Sequence, residues 1–186
     1  ALWPGTPLAI VDHVTSGTAL VQPVAEIVAI CRSRGIPVLI DGAHAPGMMD
    51  LQIDEIGADW YAGNLHKWIG APSGAGFLWT ANEHRETTRP LAASHGVLES
   101  YQDAFMWQGT RDVTPGLGVP AAIAAVDKRW GWATLRQWQR EMAIAAGRQM
   151  AAAFGTEVSD GSGGSMTGAM VSVRLPETAR EAYEDR

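Results

Sequence analysis

The sequence of 186 residues predicts an α/β fold on a mostly parallel sheet, from two apolar runs, the helical segment between them, and the polar residues that follow each run. Residues 8–11 form an apolar run that ends in Asp12, residues 24–34 have helical apolar spacing, and residues 38–40 form a second run that ends in Asp41. This order is that of a β-α-β unit, whose strands are parallel. Ligands in such sheets bind at the C-terminal ends of the strands.

The rest of the sequence adds further elements to this unit. Strands are predicted at residues 58–62 and 76–79, and helices at residues 51–56, from Pro115 to about residue 129, and at residues 134–154. Residues 83–112 are polar and irregular, which predicts a long functional loop.

We therefore expect residues 1–130 to be part of a large domain and residues 131–165 to be a connecting helix and a Gly/Ser-rich break. A strand at residues 169–173 would lie in residues 166–186, the start of a truncated small C-terminal domain. Because the sequence begins without methionine and stops at Arg186 before the small domain could be complete, we expect a fragment that lacks N- and C-terminal portions.

Composition argues against several classes of protein. The net charge of −6 comes without a long basic run, which argues against nucleic acid or an anionic membrane surface as partner. The one cysteine, Cys31, excludes an internal disulfide framework. No segment approaches the ~20 apolar residues of a membrane helix, so we expect a cytoplasmic protein.

Asp41 and Lys67 are the first candidates for chemistry. Asp41 ends an apolar strand, and a buried carboxylate there needs a cationic partner, although the side chain could instead cap the following turn. Lys67 follows the next strand, between His66 and Trp68, where an amine in a partly apolar pocket would form imines readily. The alternative for Lys67 is a solvated loop lysine, but strand order places both residues at neighbouring strand ends.

Several motifs in order resemble the class V aminotransferase family of fold-type I enzymes, which use pyridoxal 5′-phosphate (PLP), and especially its isopenicillin N epimerase-like branch. The supporting segments are residues 12–16 (DHVTS), 41–44 (DGAH), 63–68 (GNLHKW), 71–72 (AP) with Gly74, 77–79 (FLW), and 109–112 (GTRD) before Pro115. The resemblance implies a three-layer α/β large domain and a homodimer that acts on a small amino-acid substrate.

The resemblance also implies a role for each matching residue. Lys67 would hold PLP as a Schiff base, Asp41 would pair with the pyridinium nitrogen, and His44 would lie beside the ring and its 3′-oxygen. Ser16 would lie near that edge. His66 and Asn64 would bind the phosphate, as would Gly109 and Thr110 from the neighbouring subunit, although many family members have serine at the position of Asn64.

Two further residues have open assignments. Arg111 could hold a substrate carboxylate or pair with Asp112 or another acid. His13 could touch cofactor or substrate, or be a structural histidine at a strand end.

The reaction also stays open among epimerisation, transamination and elimination at Cα. Cys31 lies within a predicted helix, so a desulfurase that forms a protein persulfide is disfavoured, while a C–S lyase is compatible with the sequence. From other classes, the alternatives are an inactive fragment and a metal-dependent hydrolase that uses His13, Asp41, His44 and His66.

Overall fold

A computed structural model describes residues 5–93, 95–107 and 109–179. Its sheet has the order β1-β2-β3-β4, with β1 at Ala9–Asp12, β2 at Val38–Gly42, β3 at Trp60–Asn64 and β4 at Gly76–Thr80. The first three strands are parallel and β4 is antiparallel to β3. The prediction of an α/β fold with a mostly parallel sheet is therefore confirmed.

Helix α1 connects β1 with β2, helix α2 lies between β2 and β3, and the remaining helices follow β4 along the chain. The helices are α1 Val24–Arg32, α2 Ile53–Ile56, a 3-10 turn Asn82–His84, α3 Tyr101–Met106, α4 Thr114–Leu117, α5 Val119–Trp130 and α6 Trp132–Phe154. In the part of the chain that the structure describes, no helix has the length and apolar character needed to cross a membrane.

Three local predictions were wrong. Residues 83–112 are not irregular throughout, because α3 forms there with Ser100 as its N-cap, which accepts a hydrogen bond from the Asp103 amide. The helix expected from Pro115 is divided at Gly118 into α4 and α5. Residues 169–173 form no strand, since the bridge between Val158 and Val173 is isolated and no ladder extends it.

The two faces of the sheet have different environments, because side chains alternate along each strand. Val38, Ile40 and Tyr61 are fully buried, in one core with Val28 and Cys31 of α1. The opposite face, which we call the open face, carries Ile10 and Leu78, which are 66% and 40% exposed.

Tyr61 fixes the packing of β2 against β3. The strands pair Ile40 with Tyr61 and Gly42 with Gly63, so the Tyr61 ring lies over Gly42. A Cβ atom at Gly42 would lie 2.1 Å from this ring. The hydroxyl of Tyr61 is hydrogen-bonded to Nδ1 of His13 at 2.8 Å.

His13 belongs to this packed face of the sheet. It is 7% exposed, and its ring meets that of Tyr61 edge-on. Burial lowers the pKa of His13. Burial, with the nearby charge of Asp41, raises the pKa of Tyr61. Both side chains are therefore held neutral, which favours the structural interpretation of His13.

Substitution of Gly42 by alanine should destabilise the protein by about 1–3 kcal/mol, the usual cost of overpacking a core. The added methyl group would collide with the Tyr61 ring, which is fully buried. Urea unfolding measures the change, with Gly17→Ala as control because nothing lies within 4 Å of a Cβ there. Equal stability of the two variants would contradict this packing.

The His13→Gln variant should lose part of its sensitivity to acid. The folded protein holds His13 neutral, whereas the unfolded chain binds a proton near the ordinary pKa of about 6.5. The contribution of neutral His13 to the free energy of unfolding is therefore complete above about pH 6.5, and it is lost as the pH falls toward the lower pKa of the folded state. The free energy of unfolding, measured with urea between about pH 7 and 5, should depend less steeply on pH in the variant. The difference in slope should be up to about 1.4 kcal/mol per pH unit. An unchanged pH dependence of the free energy of unfolding would exclude His13 as a source of the acid sensitivity.

Candidate active site

Lys67 and His44 meet at the C-terminal edge of the parallel strands. His44 follows β2 and Lys67 follows β3, and their Nε2 and Nζ atoms are 3.0 Å apart. The indole N–H of Trp68 donates a hydrogen bond to the other ring nitrogen of His44, Nδ1, at 3.4 Å. Lys67, His44 and Trp68 are thus one hydrogen-bonded group, which we call the lysine triad.

Asp41 projects from the open face, one residue before the end of β2. Its Oδ1 accepts a hydrogen bond from the Ala43 amide at 2.9 Å, which is the turn-capping contact considered above. The expectation of a buried carboxylate was wrong, because Asp41 and its register partner Asp12 are both exposed on this uncovered face. Asp41 is therefore accessible to a cationic ligand.

Lys67 is also more exposed than expected. Trp68 is half-buried beside it, but the side chain of Lys67 itself is exposed. Lys67 lies in the loop beyond β3, and the helices that pack on the sheet core, α1 and α2, lie on the other face.

Opposing charges surround His44. Burial and then the neighbouring Lys67 lower the pKa of His44, while Asp41 and Asp12 raise it, and the net direction is downward. The neutral imidazole is therefore favoured near neutral pH.

His66 and Asn64 lie at the start of the same loop. Nδ1 of His66 donates to the carbonyl oxygen of Ala75 at 2.8 Å, which leaves Nε2 for a ligand. That nitrogen can donate to a phosphate oxygen only when the ring is protonated. Asn64 ends β3 and pairs with Gly76 of β4, so it lies close to Ala75, the residue that His66 contacts.

The other predicted site residues lie outside the lysine triad. Ser16 is exposed in the turn after β1, and Gly109 and Thr110 are exposed in the loop before α4. Arg111 and Asp112 line a groove of about 650 Å³ together with residues 73–76. The hydrogen bonds from Thr114 lower the pKa of Asp112.

The metal hypothesis is not supported by the geometry. Among residues 5–93, 95–107 and 109–179, the one group of three or more His, Cys, Asp or Glu side chains with ligand atoms close enough to share an ion is Asp59, Glu83 and His84. It contains none of the four residues of that hypothesis. Asp59 already accepts hydrogen bonds from His84 at 2.8 Å and from the Val38 amide at 2.7 Å.

One contributor was missed at the sequence level, and another was predicted only in part. Trp68 is a pocket candidate from the sequence because it adjoins Lys67, but its bond to His44 depends on the folded loop. Tyr61 was read as an ordinary strand residue. A tyrosine inside an apolar strand does carry a signal, because a buried hydroxyl needs a partner.

The chain is similar to known proteins along most of its length. The sequence profile described as "Aminotransferase class-V" matches residues 1–183. An isopenicillin N epimerase of Streptomyces clavuligerus is 35% identical over 95% of this chain and 48% of that protein. A putative L-cysteine desulfhydrase 1 of Oryza sativa subsp. japonica is 37% identical over 91% of this chain and 36% of that protein.

The fold is also similar to a solved structure. The apo structure of a cysteine desulfurase from Thermococcus onnurineus NA1 has a TM-score of 0.77 at 21% identity, over 96% of this chain and 47% of that one. The chain thus spans half or less of the length of these relatives. The profile match over nearly every residue nevertheless establishes that the chain belongs to the class V aminotransferase family.

Proposed function

We propose that this chain carries the cofactor lysine and the catalytic core of a PLP-dependent enzyme that acts at the Cα of an amino acid. The observation that carries the proposal is the 3.0 Å contact between Lys67 Nζ and His44 Nε2, at the strand edge where Asp41 presents an exposed carboxylate. Membership in the family supports PLP as the cofactor.

The donor set fits this cofactor. Lys67 offers an accessible amine for a Schiff base, and Asp41 offers a carboxylate for a protonated pyridine nitrogen. His44 would lie beside the 3′-oxygen. Nδ1 of His66 already donates to the Ala75 carbonyl, so Nε2 would donate to a phosphate oxygen when the ring is protonated.

The remaining contacts of the cofactor are part of the same proposal. Asn64 and Ser16 would complete the contacts made by this subunit. Gly109 and Thr110, which are exposed, would reach the phosphate of the neighbouring subunit in a homodimer.

The residues of this chain would handle the protons of the reaction. Bound PLP supplies an electron sink for the negative charge that develops at Cα. Lys67, once displaced by the substrate amine, would remove the Cα proton, and His44 would keep its amine oriented. Asp41 would hold the positive charge on the pyridine nitrogen.

Two outcomes of this proton removal deserve comparison. Return of a proton to the opposite face of Cα gives an epimerase, as the name of the Streptomyces clavuligerus relative suggests. Loss of a sulfur substituent at Cβ gives a C–S lyase. The name of the rice relative supports this second outcome to the same degree. Incubation with a panel of amino acids distinguishes them, because an epimerase yields the opposite enantiomer and a lyase yields sulfide and a keto acid.

Lys67 should be the site of imine formation. Addition of PLP should give a yellow imine band, and borohydride should then fix the cofactor on Lys67, because its amine is exposed and adjoins His44. The chain has two lysines, so peptide mapping after reduction separates Lys67 from Lys128 on α5.

Matched variants make this experiment decisive. Lys67→Arg should abolish the band, and Lys128→Arg should leave it unchanged, because Lys128 is an exposed lysine remote in sequence from the lysine triad. Labelling of Lys128 in preference to Lys67 would refute the assignment.

Cys31 should not carry sulfur during any lyase reaction. It is 2% exposed within the core, so a disulfide reagent such as dithionitrobenzoate should react with it only on unfolding. With cysteine as substrate, sulfide should be released by the Cys31→Ala variant at a rate within about twofold of the unsubstituted protein, as for a side chain that takes no part in the chemistry. A persulfide recovered on Cys31 would instead indicate a desulfurase.

A further inference from the structure

We propose that Gly47 is a positioning residue, whose missing side chain lets the segment that carries His44 and the segment that carries Lys67 meet backbone to backbone. The inference rests on the proposed function, because these two segments carry groups that would serve the cofactor. It concerns a residue outside the cofactor contacts proposed above.

The segment that carries His44 is closed by its own backbone. It comprises residues 42–49, in which the Ala45 amide donates to the carbonyl oxygen of Gly42 at 2.9 Å. The Met48 amide then donates to the carbonyl oxygen of Ala45 at 3.0 Å. Ala45 is fully buried, so this segment, which we call the His44 turn, is anchored in the core.

The segment that carries Lys67 is closed in a similar way. It comprises residues 65–71, and the Ala71 amide donates to the carbonyl oxygen of Leu65 at 3.0 Å. Ile69 is buried with Ala71 in a second, smaller core. This segment, which we call the Lys67 loop, is therefore anchored as well.

Gly47 is the point at which the His44 turn touches the Lys67 loop. It is buried, and its φ is +85°. A Cβ atom at this position would lie 2.8 Å from the carbonyl carbon and oxygen of Trp68 and 2.9 Å from the amide nitrogen of Ile69. These are backbone atoms, so no side-chain rotation could make room for it. The two segments can approach this closely only because residue 47 is glycine.

This approach sets the separations within the lysine triad. His44 and Gly47 lie in one segment, and Lys67 and Trp68 lie in the other. The bond from the Trp68 indole to His44 is 3.4 Å long, and a hydrogen bond is lost by about 3.6 Å. A small separation of the two segments would therefore break this bond and lengthen the 3.0 Å contact between Lys67 and His44.

The first test uses the 186-residue chain without cofactor. In the unsubstituted protein, a nuclear Overhauser cross-peak should join the indole N–H proton of Trp68 to the ring of His44, because the bonded nitrogens are 3.4 Å apart. In Gly47→Ala the added methyl group should force the two segments apart, and this cross-peak should be lost.

Gly35→Ala is the matched control. Gly35 also has a positive φ, +67°, but nothing lies within 4 Å of a Cβ atom there, in the turn after α1. Both variants carry the strain of an alanine at positive φ, so both should lose stability. Only Gly47→Ala should lose the cross-peak within the lysine triad.

Imine formation at Lys67 provides the second readout. The rate at which PLP and borohydride label Lys67 should fall by about tenfold in Gly47→Ala, because misplacement of a reacting group by ~1 Å can cost up to about 10²-fold. The rate should be unchanged in Gly35→Ala. Any background labelling of Lys128 should be equal in all three proteins, because Lys128 lies on the exposed surface of α5.

The outcomes separate this inference from the proposed function. In the unsubstituted protein, cross-peaks should join the α-protons of Gly47 to the amide proton of Ile69, and their absence would overturn the inference even if Gly47→Ala failed to fold. A folded Gly47→Ala variant that keeps the cross-peak within the lysine triad, or an equal loss in Gly35→Ala, would overturn it as well. Absence of a PLP imine at Lys67 in the unsubstituted protein, with the cross-peaks as expected, would overturn the proposed function instead.

Discussion

The close approach of the Tyr61 ring to Gly42 is the contact on which the arrangement of the site depends. Gly42 leaves space for the ring, so β2 and β3 pack with Ile40 and Tyr61 buried on the same face. Because side chains alternate, Asp41 must then point to the open face. The loops that follow the two strands start at the same edge, which brings His44 to Lys67.

The two ends of the sheet use charged residues in different ways. At the start of β3, Asp59 is buried and bonded both to the Val38 amide and to His84, whose ring lies 4.5 Å from that of Trp60. A buried carboxylate with two partners stabilises strand pairing and is not free for a ligand. At the other end Asp41 is exposed. The buried, bonded carboxylate and the exposed carboxylate thus lie at opposite edges of the sheet.

Much of this arrangement could be predicted from the sequence. Apolar runs that end in acids locate the strands, and the parallel order of β1 to β3 predicts that Asp41 and Lys67 lie near each other. The exposure of both residues could not be predicted, because it depends on which face the helices cover. The short helix α3 was missed because its main signal is local, the cap formed by Ser100 and Asp103.

Side-chain partners were the least predictable part of the site. The resemblance implied that His44 lies beside the cofactor, whereas its bonds to Lys67 and Trp68 follow from loop geometry that no spacing rule encodes. The strand expected at residues 169–173 shows the same limit, since an apolar run forms a strand only where a neighbouring strand pairs with it.

Under the proposed function, the lysine triad would serve a chemical step that epimerases and C–S lyases have in common. Epimerisation and β-elimination both begin with loss of the Cα proton, and the residues at this edge would serve that common step. The step after it depends on whether a group stands ready to return the proton or a β-substituent can leave. Residues that face Cα from the other side of the substrate would decide this, and substitutions within the triad should change the rate of the common step rather than its product.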